Sequence, residues 1–395
     1  MKKILALTFC LALTMFTLTG CGGSKDDTAT TTDTDTGDAI KIGVNYEMSG
    51  AVATYGQDSV KGIEMAIEEV NAAGGVNGSQ IELVKLDNKS ETSEATSVST
   101  KLVTQEKVVT ILGPATSGNF KATIPVAEAN KVPIISASAT ADDVTNKDGK
   151  AYEYVFKTCF SDSYQGSAMA TYAADTLKAK TAVIIKDTSS DYAKGLADNF
   201  KKTFEANGGK VVGDDGYVAG DTDFNGVLTK VKAMKYDVIY LPGYYSEVGL
   251  IIKQARDLGI TAPFLGGDGY DSPTLLELAG ASALNDVYYT NHYSAADKDE
   301  KVVKFQSDFE AKYGAKAGAF NALGYDLGKF IADAVTRAES SDPAAIQKAL
   351  AETKDFQGVT GSLSIDENHN AVKSIVIIGL KDGVETSAEK VEVAK

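Results

Sequence analysis

Residues 108–140 read VVTILGPATSGNFKATIPVAEANKVPIISASAT, two short apolar runs with a longer mixed segment between them. The apolar runs, residues 108–112 and 132–136, have the length and the Val, Ile and Leu content of strands buried on both faces. Residues 119–130 predict a helix. A strand, a helix and a second strand in this order form a parallel pair, because parallel neighbours need a long crossover. The segment predicts one unit of a parallel α/β sheet.

The same alternation continues on both sides of this unit. Residues 40–136 contain one series of short apolar runs separated by helical segments, and residues 151–266 contain a second. Two such series predict an α/β fold with two doubly wound lobes. After residue 287 three predicted helices follow one another and break the alternation of strands and helices. The chain then ends with predicted strands at residues 359–365 and 373–380. The polar turn between these two strands predicts an antiparallel hairpin at a sheet edge.

The N-terminus has the features of a secretory signal. Lys2 and Lys3 precede an apolar run over residues 4–18, which is too short to span a membrane as a helix. The following LTGC, which ends at Cys21, resembles a bacterial lipobox. We expect a signal peptide over residues 1–20, lipid on Cys21 and an extracytoplasmic location at the membrane. The alternative is an ordinary signal with an incidental cysteine.

The composition of the chain further limits its possible structure and partners. Residues 24–38 carry no large apolar side chain, so we expect residues 21–39 to form a flexible tether. The net charge of −15 argues against a nucleic-acid partner, whose phosphates it would repel. Cys10 and Cys21 belong to the N-terminal region, which leaves Cys159 alone in the folded part. One thiol forms no internal disulfide, and we expect Cys159 to be a buried strand residue.

Groups for catalysis or metal binding are sparse. The two histidines, His292 and His369, are far apart in sequence and lie in neither an HExxH nor an HxH pattern. The chain has no phosphate loop with its lysine and no GxSxG nucleophile motif. We therefore expect a protein that is not an enzyme and that uses no metal or cofactor.

The loops after the predicted strands are the candidate ligand site, because open α/β sheets bind ligands at the carboxyl ends of their strands. Ser117 follows one strand and is placed to cap the next helix. Ser138, Ala139 and Thr140 follow the adjacent strand and offer two hydroxyls without bulk. Together these loops favour a small anion near a helix N-terminus. The alternative for each loop is simple helix capping.

The second series adds a carboxylate and aromatic side chains. Asp268 lies between glycines after a predicted strand, where it is either the partner of an ammonium or a turn residue that bonds its own backbone. Tyr55, Tyr192 and Tyr244 fall after strands or at helix starts. Such tyrosines line small-ligand pockets, although each one alone could equally be packing.

Several segments together resemble the type I periplasmic binding proteins of ABC importers for branched-chain amino acids, the leucine/isoleucine/valine-binding group. The resemblance covers about residues 40–390, and its strength lies in the order and spacing of the motifs. These are GVNYEMSG (43–50) with Tyr55, NAAGGVNG (71–78), LGPATS (112–117), VPIISASAT (132–140) and residues 259–269.

The resemblance implies two lobes joined by three crossovers that close on a ligand. It places residues 40–158 and 289–356 in the first lobe, and residues 159–288 and 357–395 in the second. It also implies a monomer that binds an amino acid and delivers it to a membrane permease and its ATPase.

Position by position, the resemblance implies a role for each site residue. Ser117 and Thr140, with nearby backbone N–H groups, would bind the α-carboxylate. The Ser138 carbonyl and the Asp268 carboxylate would take the α-ammonium, and Tyr192 would reach the ligand from the second lobe. The side-chain pocket or rim would consist of Tyr55, Thr116, Tyr244 and Phe320. The best-known members carry Glu at the position of Asp268, which is one methylene shorter.

The leading hypothesis from the sequence is a lipid-anchored receptor that captures an amino acid, in the first place Leu, Ile or Val. A sensor that signals to a membrane protein would use the same pocket. A binder of an amide, a urea or an aromatic acid is a further alternative, but these ligands lack the ammonium that Asp268 would bind. An enzyme is the least favoured class.

Overall fold

The computed structural model describes residues 39–391. The predicted signal peptide, Cys21 and the tether up to residue 38 lie outside the described residues, as do residues 392–395. In the described part of the chain, no helix is both long enough and apolar enough to cross a membrane.

The first lobe is built on a five-stranded sheet. Its elements, in chain order with a small hairpin of two short strands, are β1 (Ile40–Tyr46), α1 (Ala53–Ala72), β2 (Ile81–Asp87), α2 (Thr92–Lys101), β3 (Thr110–Leu112), α3 (Ser117–Asn130), β4 (Ile134–Ser136), β5 (Asn146–Lys147), β6 (Lys150–Ala151) and β7 (Val155–Lys157). The sheet order is β2-β1-β3-β4-β7, and every pair is parallel. This is the doubly wound arrangement that the alternating pattern predicted.

The second lobe repeats the plan. Its elements are α4 (Asp162–Asp175), β8 (Thr181–Asp187), α5 (Asp191–Ala206), β9 (Lys210–Tyr217), α6 (Asn225–Lys232), β10 (Val238–Tyr240), α7 (Tyr245–Asp257), β11 (Phe264–Gly266), α8 (Pro273–Ala279) and β12 (Val287–Asn291). Strands β9, β8, β10, β11 and β12 lie side by side in that order and are parallel.

The chain then returns to the first lobe. Its remaining elements are α9 (Glu300–Tyr313), α10 (Ala319–Ala338), α11 (Pro343–Ala351), β13 (Phe356–Gly358), β14 (Gly361–Ile365), β15 (Ala371–Val372), β16 (Ile375–Lys381) and β17 (Val384–Val391). Helix α10 packs against α1 with the two backbones in contact. A methyl group at Gly62 would collide with the carbonyl oxygen of Asn321, and one at Gly324 would collide with that of Ser59. Glycine at both positions allows this close approach.

The predicted C-terminal hairpin is confirmed at its turn but wrong in its second strand, because residues 366–370 connect β14 to the short antiparallel strand β15 and not to β16. Strand β14 pairs with β13 and β15 in a small antiparallel sheet, whereas β16 pairs with β12 and β17 and extends the sheet of the second lobe. Ile375, Ile377 and Ile378 of β16 are buried there. The apolar pattern located both strands, but each finds its partners in a different lobe.

The sheets also bear on the expected lobe limits. Strand β12 pairs along its whole length within the second sheet, so the expected limit at residue 289 falls inside a strand. Residues 357–372 were expected in the second lobe but contact the first: Asp326 of α10 accepts hydrogen bonds from the backbone N–H groups of Val359 (2.7 Å) and Thr360 (2.8 Å). His369 stacks on Phe156 of β7 with ring centroids 4.1 Å apart.

Each sheet has a point where the chain order reverses, between β1 and β3 in the first lobe and between β8 and β10 in the second. Loops at the carboxyl ends of strands diverge at such a point and leave a crevice. The two crevices face each other, since Tyr55 of α1 and Tyr244, which precedes α7, have ring centroids 5.7 Å apart. Cys159 is buried as predicted, but it lies beyond β7 in the crossover that leads to α4.

Candidate functional site

A narrow cavity lies between the two lobes. Eight of the ten predicted site residues line it, together with Ala115 and Gly269: Tyr55, Thr116, Ser117, Ser138, Tyr192, Tyr244, Asp268 and Phe320. The two others, Ala139 and Thr140, are buried beside it and are not among the lining residues. The N–H of Ala139 donates to Ser136 Oγ (2.9 Å), so this donor is already bound at the end of β4, the strand that precedes it.

Asp268 is the acidic group of the cavity. It follows β11 directly and is buried. Its Oδ1 accepts hydrogen bonds from the hydroxyl of Tyr192 (2.8 Å) and from Nε2 of Gln165 (3.1 Å). Its Oδ2 lies 3.0 Å from Nε2 of His292. These donors hold the carboxylate in one orientation, which is what a fixed ammonium site requires.

Gln165 and His292 were not predicted as site residues. Gln165 of α4 is held by Thr290, whose hydroxyl donates to Oε1 (2.6 Å), and the same oxygen accepts from the backbone N–H of Asp268 (3.2 Å). His292 follows β12 and stacks on Phe160 with centroids 3.9 Å apart. Burial lowers the pKa of His292, while its hydrogen bond to Asp268 opposes that shift. We assign a neutral imidazole whose Nε2–H donates to Asp268.

The loop after β3 differs from its prediction. Thr116 holds the N-cap position of α3 without a side-chain cap, and Ser117 is the first helical residue, so the predicted Ser117 cap is wrong. The carboxylate of Glu47, which directly follows β1, binds the turn before this helix. It accepts from the N–H groups of Ala115 (2.9 Å) and Thr116 (3.2 Å) and from Nδ2 of Asn119 (2.9 Å). An acid near a helix N-terminus is favourable, and the hydrogen bonds offset its burial.

The side chain of Ser117 does not cap the helix and lines the cavity instead. Its Oγ accepts from the backbone N–H of Ala141 (3.1 Å), and the hydroxyl hydrogen has no acceptor among the described residues. Ser138, on the neighbouring strand end, donates its hydroxyl to the carbonyl oxygen of Ala115 (3.0 Å). The hydroxyl of Ser117 is therefore the donor that this side of the cavity can offer to an anion.

Aromatic rings form the remaining walls. Tyr55 stacks on Phe320 with centroids 4.3 Å apart, and Tyr192 stacks on Tyr244 at 5.1 Å. The hydroxyl of Tyr55 donates to the carbonyl oxygen of Gly269 across the cleft (2.5 Å). An apolar side chain between these rings would be removed from water. The cavity thus combines an acidic end, a hydroxyl end and apolar walls.

Contacts around the cavity hold the lobes together. Thr54 Oγ1 and Ser272 Oγ are 3.0 Å apart, and Lys121 pairs with Asp191 at 2.9 Å. Asp271 of the second lobe accepts from the N–H of Ala319, the first residue of α10, at 3.0 Å. These contacts describe a cleft that is closed over the cavity.

Among residues 39–391, no group of three histidine, cysteine, aspartate or glutamate side chains is arranged to hold a metal ion. His369, the second histidine, lies outside the cavity, where its Nδ1 is 3.1 Å from the carbonyl oxygen of Val155. The chemistry that the cavity offers is therefore that of its hydrogen-bonding and apolar groups.

Comparison with known proteins agrees with the resemblance found in the sequence. A family model for periplasmic binding proteins matches residues 39–384. The leucine-, isoleucine-, valine-, threonine- and alanine-binding protein of Pseudomonas aeruginosa is 32% identical over 330 residues, which are 84% of this chain and 86% of that protein.

Two solved structures have nearly the same fold. One is the branched-chain amino acid transporter substrate-binding protein LivJ of Streptococcus pneumoniae in complex with isoleucine, with 42% identity and a TM-score of 0.85. The other is the leucine-binding protein LivK of Thermotoga maritima, with 37% identity and a TM-score of 0.84. The match covers 90% of this chain in both cases, and 100% and 99% of the respective structures.

Proposed function

This chain belongs to the periplasmic binding protein family, and from that premise we propose that it binds a free α-amino acid, in the first place Leu, Ile or Val, between its lobes and delivers it to an ABC importer. Relatives that bear names for these ligands support the choice. We propose that it acts by binding alone, as a monomer, and that the permease and ATPase of the importer are its partners.

The observation that carries the proposal is that Ser117 of the first lobe and Asp268 of the second line the same cavity. We propose that Asp268 and the carbonyl of Ser138 take the ammonium, and that Ser117 and the loop at Ala139 and Thr140 receive the carboxylate. The side chain would lie among the rings that line the cavity: Tyr55, Tyr192, Tyr244 and Phe320. Thr116 would lie at its rim.

We also propose lobe limits that follow the sheets. The first lobe would contain residues 40–158 and 292–372, and the second would contain residues 159–291 and 373–391. The three crossovers would then run through Thr158–Ser161, through the segment after β12 and through Lys373. The continuous pairing of β12 and the contacts of residues 357–372 with the first lobe support these limits.

Asp268→Asn tests the ligand. The amide has nearly the same shape as the carboxylate but no charge, and disrupting a buried charge pair costs about 2–5 kcal/mol, or about 30- to several-thousand-fold in affinity. Calorimetry should show this loss for Leu, Ile and Val. Asp326→Asn is the matched control, since Asp326 is a buried carboxylate outside the cavity. If wild-type protein binds none of the three amino acids, or if Asp268→Asn binds them unchanged, the proposal fails.

A further inference from the structure

Lys157 is a buried cation next to the cavity that does not line it. It ends β7, its side chain is inaccessible to solvent, and its ammonium donates to the carbonyl oxygens of Thr140 (3.2 Å) and Ala141 (3.1 Å). These acceptors are neutral, so they satisfy the donor without cancelling its charge. Within the described range 39–391, no carboxylate lies at ion-pair distance from this ammonium.

Two buried acidic side chains, Cys159 and Asp162, interact electrostatically with Lys157. Burial raises the pKa of the Cys159 thiol to about 12, so the thiol is uncharged at neutral pH. Burial also raises the pKa of Asp162 well above its usual range, and the charge of Asp268 adds to the shift, although Lys157 itself opposes it. The Lys157 ammonium is therefore bound by neutral carbonyls and forms no direct ion pair among the described residues, and a buried ammonium is costly unless something compensates it.

One peptide group connects this charge to the cavity. The trans peptide between Thr140 and Ala141 turns its carbonyl to Lys157, and its N–H, on the opposite edge, donates to Ser117 Oγ (3.1 Å). Hydrogen bonds in such a chain polarise one another, and more so away from water. The ammonium therefore makes the Ser117 hydroxyl a stronger donor on the side that faces the cavity.

We propose that Lys157 is a positioning residue for the carboxylate end of the ligand, and that it makes the site select a free α-carboxylate over the amide of the same amino acid. The inference rests on the proposed function, because it takes the ligand to be an amino acid whose carboxylate lies at Ser117. Lys157 beside the cavity and Asp268 in its lining would then interact with the two opposite charges of a zwitterion.

The experiment compares leucine with leucinamide, which keeps the ammonium and the side chain but has a neutral carboxamide. Lys157→Gln retains N–H donors for the two carbonyls and removes the charge. Because charge-assisted hydrogen bonds are about twice as strong as neutral ones, we expect the Kd for leucine to rise about tenfold or more and that for leucinamide to change less than about threefold. Lys157→Arg, which keeps the charge, should restore most of the selectivity.

Lys373→Gln is the matched control. Lys373 is also buried, but its ammonium donates to Thr360 Oγ1 (2.6 Å) and has no bond to the loop at Thr140. The ratio of the two dissociation constants should stay at the wild-type value in this variant. If Lys157→Gln does not fold, as judged by circular dichroism, Lys157→Met removes the same charge and keeps most of the apolar stem.

Two results would overturn the inference. Equal weakening of leucine and leucinamide would mean that Lys157 only supports the structure of the loop, and unchanged dissociation constants for both ligands would mean that its charge is not felt at the ligand. In both cases the wild-type protein still binds leucine and the proposed function stands. A wild-type protein that does not bind leucine, isoleucine or valine refutes the proposed function and this inference together.

Discussion

At the scale of single residues, His292 couples the site to pH. Burial lowers its pKa below the ordinary value of 6.5. Below about pH 6.5 the unfolded chain takes up a proton at this residue that the folded chain does not, so folding stability is lost as the pH falls toward the lower pKa of the folded state. His292→Gln, which can still donate to Asp268, should therefore lose less melting temperature between about pH 7.5 and about pH 5.5 than the wild type.

The measurement is thermal unfolding without ligand at both pH values. All other titrating groups are common to the two proteins, so the difference between their losses isolates His292. An equal loss in both would show that His292 is protonated as easily in the folded chain as in the unfolded one.

The sequence predicted the residues at strand ends better than those that support them. Ser117 and Ser138 follow strands of the first sheet and Asp268 follows a strand of the second, and that position alone brings them to the carboxyl edges of the two sheets. Glu47 and Gln165 gave no such signal. Glu47 is one acid among many near turns, and Gln165 meets Asp268 only because α4 packs against the second sheet, which is a tertiary contact between residues about a hundred positions apart.

At the scale of elements, α10 is capped by the opposite lobe. It has no acidic residue in its first turn, and Asp271 accepts from the N–H of its first residue, Ala319 (3.0 Å). Opening the cleft would break this bond, so it favours the closed state. Asp271→Ala should weaken leucine binding about two- to thirtyfold, the range expected for loss of a helix cap, although Asp271 does not line the cavity.

Calorimetry checks this expectation, and Asp342→Ala is the control. Asp342 caps α11 within the first lobe, where its carboxylate accepts from the N–H of Ala344 (2.9 Å). Its loss should lower the melting temperature and leave the Kd for leucine unchanged. Equal dissociation constants in the wild type and Asp271→Ala would mean that the contact with α10 does not contribute to closure.

The C-terminal strands show that an apolar pattern predicts where a strand lies but not which strand it pairs with. Apolar runs located β14 and β16 because a buried strand must be apolar whatever its partner. The partner depends on which free edge each run can reach: β12 offers one to β16, and β13 offers another to β14. Because β14 and β16 are close in sequence, we expected them to pair as a hairpin. In the structure the chain crosses between the lobes after β15, and β14 and β16 belong to different sheets.

At the scale of the whole molecule, the lobes should close on the ligand. A ligand that contacts both lobes binds the closed state more tightly than the open one and shifts the population toward it. Leucine should therefore reduce the radius of gyration in solution X-ray scattering and raise the melting temperature as its concentration increases. Isoamylamine, which lacks the carboxylate, should do neither. Tight leucine binding without compaction would place the site outside the cleft.

The membrane anchor is a further whole-molecule prediction. Cys21 and the tether lie outside the described residues, and the lipobox-like LTGC motif supports a lipid at this position. Cys21→Ala should release the protein from the membrane fraction of cells, while wild-type protein sediments with membranes. A variant that still sediments at high salt would contradict lipid attachment at Cys21.

The glycine contact between α1 and α10 has a mechanical consequence. The backbones of the two helices touch at Gly62 and Gly324, with no layer of side chains between them. This close packing makes the pair of helices resist bending and sliding. We therefore expect the opening and closing motion to occur mainly at the crossovers, with the first lobe moving as a rigid body.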